Sequence, residues 1–168
     1  MHIFTYSFLW KFIYRYTNLI ITPPLLIVTL AFVSNVDRNP IFLVPAFLSL
    51  LILYLLNKSY LEFYKMIPYK IEADDEKLVC SEFLFRNKTL IIYLKDIESL
   101  YGGMFSGKYH GVMKVSDGKN KIAIGFFDKI NDSTKLITMI LNKVNQKIYD
   151  DVVEKLKTLK IGSELRNK

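Results

Sequence analysis

The sequence contains few residues of the kinds that form covalent cross-links or bind metal ions. Among its 168 residues there are one cysteine, Cys80, and two histidines, His2 and His110. A single cysteine excludes an intrachain disulfide. Neither histidine is near Cys80 in the sequence, so a metal site built from these residues has little support, and we predict no cofactor. We interpret Cys80, in the strand-like stretch KLVCSEFLF, as a packed and unreactive thiol.

Charged residues are absent from two long stretches in the first third of the chain. None occurs in residues 17–36 or in residues 39–57, and only Asp37 and Arg38 separate the two stretches. An apolar run of about 20 residues matches the hydrocarbon thickness of a bilayer. The alternative is a pair of buried core helices, but a chain of this length leaves too little sequence to cover both. The pattern predicts a two-helix transmembrane hairpin over residues 17–57.

Basic residues flank this predicted hairpin unevenly. Lysine and arginine collect on the cytoplasmic side of membrane spans, and the connecting loop offers Arg38 alone, beside Asp37. Both termini are therefore predicted to be cytoplasmic. The cations at the other end of the hairpin are candidates for contact with an anionic membrane surface, the alternative being that they only orient the spans: Lys11, Arg15, Lys58, Lys65 and Lys70. Neither span contains an ionisable residue, which argues against an ion pathway or proton relay.

The segment before the first span, IFTYSFLWKFIYRY, is rich in aromatic residues and carries two cations. Tryptophan and tyrosine favour the headgroup level of a membrane, to which lysine and arginine can extend. We predict an interfacial aromatic helix within residues 1–16 that merges into the first span, and the alternative is a disordered start. The segment lacks the small-residue cleavage site of a signal peptide, so cleavage is not expected.

Local signals predict where the two helices begin, end or bend. Asn39 is a suitable cap for the second helix and Pro40 suits its first position, where a missing N–H costs nothing. Asn57-Lys58 marks its predicted end. Adjacent prolines at positions 23–24 remove two backbone donors, which predicts a kink or a restart in the first helix.

Beyond residue 67 the sequence alternates between apolar and polar residues, as β-strands do. Polar turns separate the alternating stretches, and SDGKN has the composition of a hairpin turn. Strands that follow one another without intervening helices predict an antiparallel meander. The predicted strands are YKIEA, KLVCSEFLF, TLIIYL, IESLYGGMF, HGVMKVS and NKIAIGFF.

The period of the apolar residues changes to that of a helix after Asn131. Spacings of three and four residues predict one amphipathic helix of about 28 residues that ends near Gly162. Its first half is long enough to cover the end of a small sheet domain. The apolar stripe of the second half is predicted to be an exposed surface for a partner or another copy of the chain: Ile148, Val152, Leu156 and Leu159. The alternative is a bend near Asn145-Gln146 that folds this half back onto its own sheet.

This order of elements resembles the bacterial pleckstrin-homology-like (PH-like) family of small membrane proteins, in which a two-span hairpin precedes such a domain. The resemblance covers about residues 1 to 146 and includes YKIEADDEKLVCSEFLF, TLIIYLKDIESL and GVMKVSDGKNKIAI. It implies a curved, seven-stranded antiparallel barrel or sandwich closed at one end by a helix, in an α+β protein of the bacterial cytoplasmic (inner) membrane. It implies neither a catalytic residue nor phosphoinositide binding. The predicted organisation is an interfacial segment at 1–16, the hairpin at 17–57, a juxtamembrane linker at 58–67, a PH-like domain at 68–160 and a tail at 161–168.

The stretch GGMFSGKY at residues 102–109 nearly spells a phosphate-binding loop. Such a loop needs a serine or threonine after the lysine and a helix directly afterwards. Tyr109 follows the lysine, and HGVMKVS then alternates like a strand. We therefore predict a glycine-containing connection between two strands and no nucleotide binding.

No other group of residues indicates catalysis, so the chain is predicted not to be an enzyme. No basic stripe indicates nucleic-acid binding. The sequence favours a membrane-anchored binding or scaffolding module that docks a protein partner or another copy. The alternatives are a sensor of anionic lipid surfaces and a small membrane enzyme with an unrecognised site.

Overall fold

The chain forms an α+β structure. One strand is followed by two long apolar helices, and the other strands of two antiparallel sheets and two further helices come after them. A computed structural model describes residues 1–84, 87–108 and 110–166, those from 158 onward by their backbone alone. The elements are the strand β1 (His2–Thr5), the helices α1 (Phe8–Ser34) and α2 (Leu43–Met66), the strands β2 (Pro68–Ala73), β3 (Lys77–Phe83), β4 (Leu90–Tyr93), β5 (Ile97–Tyr101), β6 (Val112–Asp117) and β7 (Ile122–Phe127), and the helices α3 (Ser133–Leu141) and α4 (Gln146–Arg166).

Helices α1 and α2 lie side by side and are called the hairpin below. A short 3-10 turn, Pro40–Phe42, starts the second arm, and the Asn39 side chain accepts a hydrogen bond from the backbone N–H of Ile41 at 3.0 Å. The predicted cap is therefore present. Helix α1 continues through both prolines at positions 23–24 without a restart.

Helix α2 corrects the predicted linker at residues 58–67. The helix does not end at Asn57-Lys58 but continues to Met66, so most of this segment is helical. The residue before a proline is pushed out of the helical region by the proline ring. Ile67, which precedes Pro68, has φ −96° and ψ 111°, an extended conformation that ends the helix.

The N-terminal strand β1 corrects the first part of the predicted interfacial helix at residues 1–16, whereas residues 8–16 are helical and continue into the first arm. Strand β1 pairs antiparallel with β2, with Thr5 opposite Lys70, and helix starts only at Phe8. Phe4 and Tyr6 are buried while Ile3 is exposed, which is the two-residue period of a strand. The hairpin is therefore inserted between two strands that are neighbours in one sheet.

The strands form a four-stranded sheet in the order β1-β2-β3-β4 and a three-stranded sheet in the order β5-β6-β7. All six strands predicted from the alternating pattern are present, and β1 is the seventh. The predicted closed barrel is not formed among the described residues, where an isolated bridge between Tyr6 and Ile130 links β1 to the segment after β7. The two sheets share one buried core, whose fully buried members include Ile71, Leu78, Ile92, Val115, Ile124 and Phe126. Each such side chain contributes about 1.5 to 3 kcal/mol. Cys80 also lies in this core, and burial raises the pKa of its thiol to about 12.

The C-terminal region consists of two helices, which corrects the prediction of one continuous helix. Helix α3 ends at Leu141 and α4 begins at Gln146. The side chain of Asn145 accepts a hydrogen bond from the backbone N–H of Lys147 at 3.1 Å, as the cap of a new helix does. The break lies where the alternative interpretation placed a bend, and it lets α4 pack against the core of the sheets.

Candidate functional site

The hairpin and the sheets meet at a cluster of aromatic side chains from four segments. The ring of Tyr14 in α1 stacks on Phe127 of β7, with centroids 4.1 Å apart, and Trp10 stacks on Tyr14 at 5.6 Å. Tyr6 presents its edge to Tyr14 at 5.6 Å and to Tyr69 at 6.1 Å. Aromatic pairs add about 0.5 to 1.5 kcal/mol each beyond the burial of their area. The cluster therefore fixes the base of the hairpin against both sheets.

Hydrogen bonds strengthen this junction at the end of β1. The hydroxyl oxygen of Tyr6 accepts a hydrogen bond from the backbone N–H of Phe127 at 2.9 Å. The backbone N–H of Asn131 donates to the carbonyl oxygen of Thr5, and the Asn131 side chain accepts from the N–H of Thr5. Burial raises the pKa of Tyr6 far above its usual value and that of Tyr69 to about 12, so both phenols are neutral.

Charged side chains add further contacts between α1 and the sheets. Lys11 forms an ion pair with Glu82 of β3, and its ammonium nitrogen lies 5.8 Å from the centroid of the Tyr69 ring. The ammonium nitrogen of Lys129 lies 5.7 Å from the Trp10 ring. Ion pairs that are this exposed contribute little stability, about 0 to 1 kcal/mol, so they chiefly select one orientation of the domain.

An apolar cavity of about 330 Å³ lies beside the aromatic cluster. The polar side-chain groups that line it are hydroxyls, and among the described residues no carboxylate, lysine, histidine or cysteine side chain lines it. The cavity is therefore suited to holding apolar groups. It is lined by Ile13, Tyr14, Thr17, Tyr60, Phe63, Tyr64, Ile67, Tyr69 and Phe127.

A second cavity, of about 480 Å³, is more polar and is called the junction cleft below. The buried Tyr64 lines both cavities, and its hydroxyl group donates to the carbonyl oxygen of Arg15 at 3.2 Å. The residues that line the cleft are one cation, two asparagines, one threonine, two tyrosines and three apolar residues: Arg15, Tyr16, Asn18, Leu19, Thr22, Pro23, Asn57, Tyr64 and Leu84.

Three polar side chains of the cleft join the arms of the hairpin. The amide nitrogen of Asn18 donates to the side-chain oxygen of Asn57 at 3.0 Å, and Thr22 donates to Asn18 at 3.0 Å. Polar side chains that bond across two helices in an apolar medium fix their register. The sequence marked Asn57 only as the predicted end of the second helix, and the hydrogen bond that joins it to Asn18 was not predicted.

The five predicted membrane-surface cations fall into two groups. Lys11 is paired with Glu82, and Lys70 with Glu72. Within residues 1–84, 87–108 and 110–157, the remaining three form no ion pair: Arg15, Lys58 and Lys65. Arg15 alone of the five lines the cleft. The structure therefore separates the cations that are paired with a carboxylate from the three that remain available for other contacts.

The predicted partner stripe of the C-terminal helix is not an exposed surface. Val152 is fully buried, and Ile148 and Leu156 pack against the core of the sheets. The prediction that these residues stay exposed on a single copy is wrong, because the break before Gln146 turns α4 back onto its own domain. The side chain of Leu159 lies outside the part of the chain that the structure describes.

The glycine-rich stretch at residues 102–107 connects β5 to β6, as predicted, and it does so through a short 3-10 turn. Gly102 and Gly107 have φ of 78° and 65°, values that side-chain-bearing residues rarely adopt. A Cβ at Gly107 would lie 2.7 Å from the carbonyl oxygen of Lys155 in α4. The loop thus packs closely against α4. Tyr109 lies outside the described residues.

No family model, curated protein or solved structure matches this chain significantly. Among the described residues, no three histidine, cysteine, aspartate or glutamate side chains come together in a group that could hold a metal ion. The hairpin, the sheets and their junction are therefore the features from which a function is inferred.

Proposed function

We propose that this protein is a membrane-anchored binding module, in which the hairpin holds the sheet domain in a fixed orientation at the cytoplasmic face. There the domain docks a protein partner or another copy of the chain. The observation that carries the proposal is the insertion of the hairpin between the neighbouring strands β1 and β2. Two chain connections and the aromatic cluster join the same end of the domain to the hairpin, which restricts rotation of one against the other.

The exposure of the hairpin supports its placement in a membrane. In the most apolar stretches of the two arms only 6% and 11% of the residues are buried, so these are not the core helices of a water-soluble domain. Leu30, Val44 and Phe47 are 58%, 61% and 62% exposed. An apolar surface of this extent requires a lipid environment or a protein cover. The described residues of the chain itself offer no such cover, which favours a bilayer as the environment of the hairpin.

The distribution of charge supports the orientation. Arg15, Lys58 and Lys65 lie at the end of the hairpin that carries the sheet domain, and Arg38 is the one cation of the opposite loop. The positive-inside rule then puts both termini and the domain in the cytoplasm. With the four-plus-three strand arrangement followed by helices, this favours the bacterial PH-like inner-membrane proteins as the class. We propose a binding function without catalysis.

A surface for a protein partner lies on the edge strand β4. The hairpin is attached at β1 and β2, and β4 forms the opposite edge of that sheet. Ile91 and Tyr93 are each 42% exposed, whereas Ile92 between them is buried. An edge strand with outward apolar side chains can accept another chain by extending the sheet or by covering these side chains.

Reporter fusions test the anchoring and its orientation. A cytoplasmic reporter fused after Lys168 is expected to be active, and alkaline phosphatase inserted beside Arg38 is expected to be active outside the cytoplasm. The protein should also stay in the membrane pellet after carbonate extraction. Phosphatase activity of a fusion after Lys168, or release by carbonate, would contradict the proposed anchoring.

Photo-crosslinking in intact cells tests the docking surface. A photoreactive amino acid at Tyr93 is expected to give one discrete adduct whose mass identifies either a second copy or another protein. The matched control carries the same amino acid at Lys119, an exposed position in the turn before β7. The adduct at position 93 should disappear in the Ile91→Lys background because a charge there opposes apolar contact. Equal adducts from both positions, or none at position 93, would argue against docking at β4.

A further inference from the structure

We infer that the junction cleft binds the phosphate group of an anionic phospholipid, with Arg15 as the charged contact. This inference rests on the proposed membrane placement of the hairpin and adds a ligand class to it. The ligand class is a phosphate diester, which carries one negative charge, attached to apolar acyl chains.

The cleft lies at the level where a membrane's hydrocarbon meets its headgroups. Asn18 and Asn57 are hydrogen bonded and therefore lie at the same height on the two arms. Both stand at the end of an uncharged stretch, and the charges begin with Arg15 on one arm and Lys58 on the other. Arg15 precedes Asn18 by three residues, which is about 4.5 Å along a helix. A cation at this distance from the apolar stretch reaches phosphate groups at the bilayer surface.

The charge of the cleft is uncompensated. Among the described residues, no acidic side chain lines it and no carboxylate pairs with Arg15. Lys11, one turn away on the same helix, is neutralised by Glu82. The guanidinium group of arginine is a planar fork that binds two oxygens of one phosphate group, so Arg15 provides geometry as well as charge.

The remaining lining fits the rest of a phospholipid. An asparagine side-chain nitrogen carries two hydrogens, and the bond from Asn18 to Asn57 uses one of them, so the other can donate to a ligand oxygen. Leu19, Pro23 and Leu84 give the same cleft apolar walls. The volume of about 480 Å³ lies within the range of sites that hold small molecules.

Native mass spectrometry of the full chain in a neutral detergent tests the inference. Phosphatidylglycerol and phosphatidylcholine, which share acyl chains and differ in net charge, are titrated separately. The first bound phosphatidylglycerol is expected to have an affinity about fivefold higher than the first phosphatidylcholine, the effect of one well-placed cation. Equal affinities in the unsubstituted protein would overturn the inference without any variant.

Matched variants assign the effect to the cleft. Arg15→Gln is expected to abolish the preference, and Arg15→Lys to retain part of it because the charge remains without the fork. Arg38→Gln removes the same charge at the opposite end of the hairpin and should leave the preference unchanged. Circular dichroism checks that each variant is folded. A preference that survives Arg15→Gln, or that falls equally with Arg38→Gln, would refute the assignment.

Two further results distinguish lipid binding from the binding of free phosphate and from a failure of the proposed membrane placement. An excess of inorganic phosphate should not displace phosphatidylglycerol, and complete displacement would identify a site for free phosphate and overturn lipid binding. The reporter fusions decide independently whether the hairpin is in the membrane. A correctly oriented protein with no lipid preference would refute the lipid site and leave the anchoring proposal intact.

Discussion

Val152→Asp is expected to unfold the sheet domain. Val152 is fully buried in the shared core, although it belongs to the C-terminal helix α4. A carboxylate there would be a buried charge without a partner, which costs about 3 to 5 kcal/mol. Domains of this kind are stable by about 5 to 15 kcal/mol, so a large part of the stability would be lost. The measurement is urea unfolding of the full chain in detergent, followed by circular dichroism.

Val153→Asp is the matched control for this prediction. Val153 is the same residue type on the same helix but is only partly buried, so the carboxylate retains contact with water. We expect a loss of about 1 kcal/mol or less there, as for most surface substitutions. If α4 were instead an exposed pairing helix, Val152→Asp would leave the domain folded and reduce the mass of the assembly in light scattering. That result would contradict the packing of α4 against its own domain.

Removal of residues 1–6 is expected to prevent folding of the sheet domain, although these residues precede the hairpin. Strand β1 pairs along β2 and contributes the buried rings of Phe4 and Tyr6 to the core. Loss of two buried aromatic side chains costs about 3 to 5 kcal/mol each. The measurement uses a fragment that starts at Ile67 and so lacks both β1 and the hairpin. It should show neither the cooperative thermal transition nor the amide dispersion of a folded domain.

A chain in which a four-residue glycine-serine loop replaces residues 8–66 is the complementary experiment. Strands β1 and β2 are antiparallel, so Ser7 and Ile67 lie at the same end of the ladder, and a short loop can join them. This chain is expected to fold in water, because it restores β1 and omits the exposed apolar helices. If the fragment without β1 folds as well as this chain does, then β1 is dispensable and the hairpin is not an insertion in the domain.

Several elements of the fold follow from short-range signals. The six strands after Ile67 alternate in polarity over a few residues, and that alternation is the period of the backbone itself. Asn39-Pro40 marks the start of the second arm because a cap acts on the next two or three residues. The glycines between β5 and β6 meet a requirement for positive φ, which is also local.

Other elements depend on residues that are distant in the sequence. Strand β1 is only four residues long and is followed by aromatic residues that suit a helix, and its partner β2 lies beyond the whole hairpin. The break between α3 and α4 could not be predicted, because the three- and four-residue spacing of apolar residues continues across it. The end of α2 was set by Pro68, which restricts Ile67, and not by the polar pair Asn57-Lys58.

The two long apolar helices and the strands that follow could be predicted from the sequence, because each is a pattern of polarity or a capping signal within a few residues. Where these elements meet depends on the tertiary structure. The contact between Asn18 and Asn57 spans 39 positions, and the hydrogen bond from the Phe127 N–H to the Tyr6 hydroxyl oxygen spans 121. Such contacts could not be predicted, because a polarity pattern indicates which face of an element is buried and not which partner buries it. The junction cleft and the burial of Val152 are consequences of that pairing.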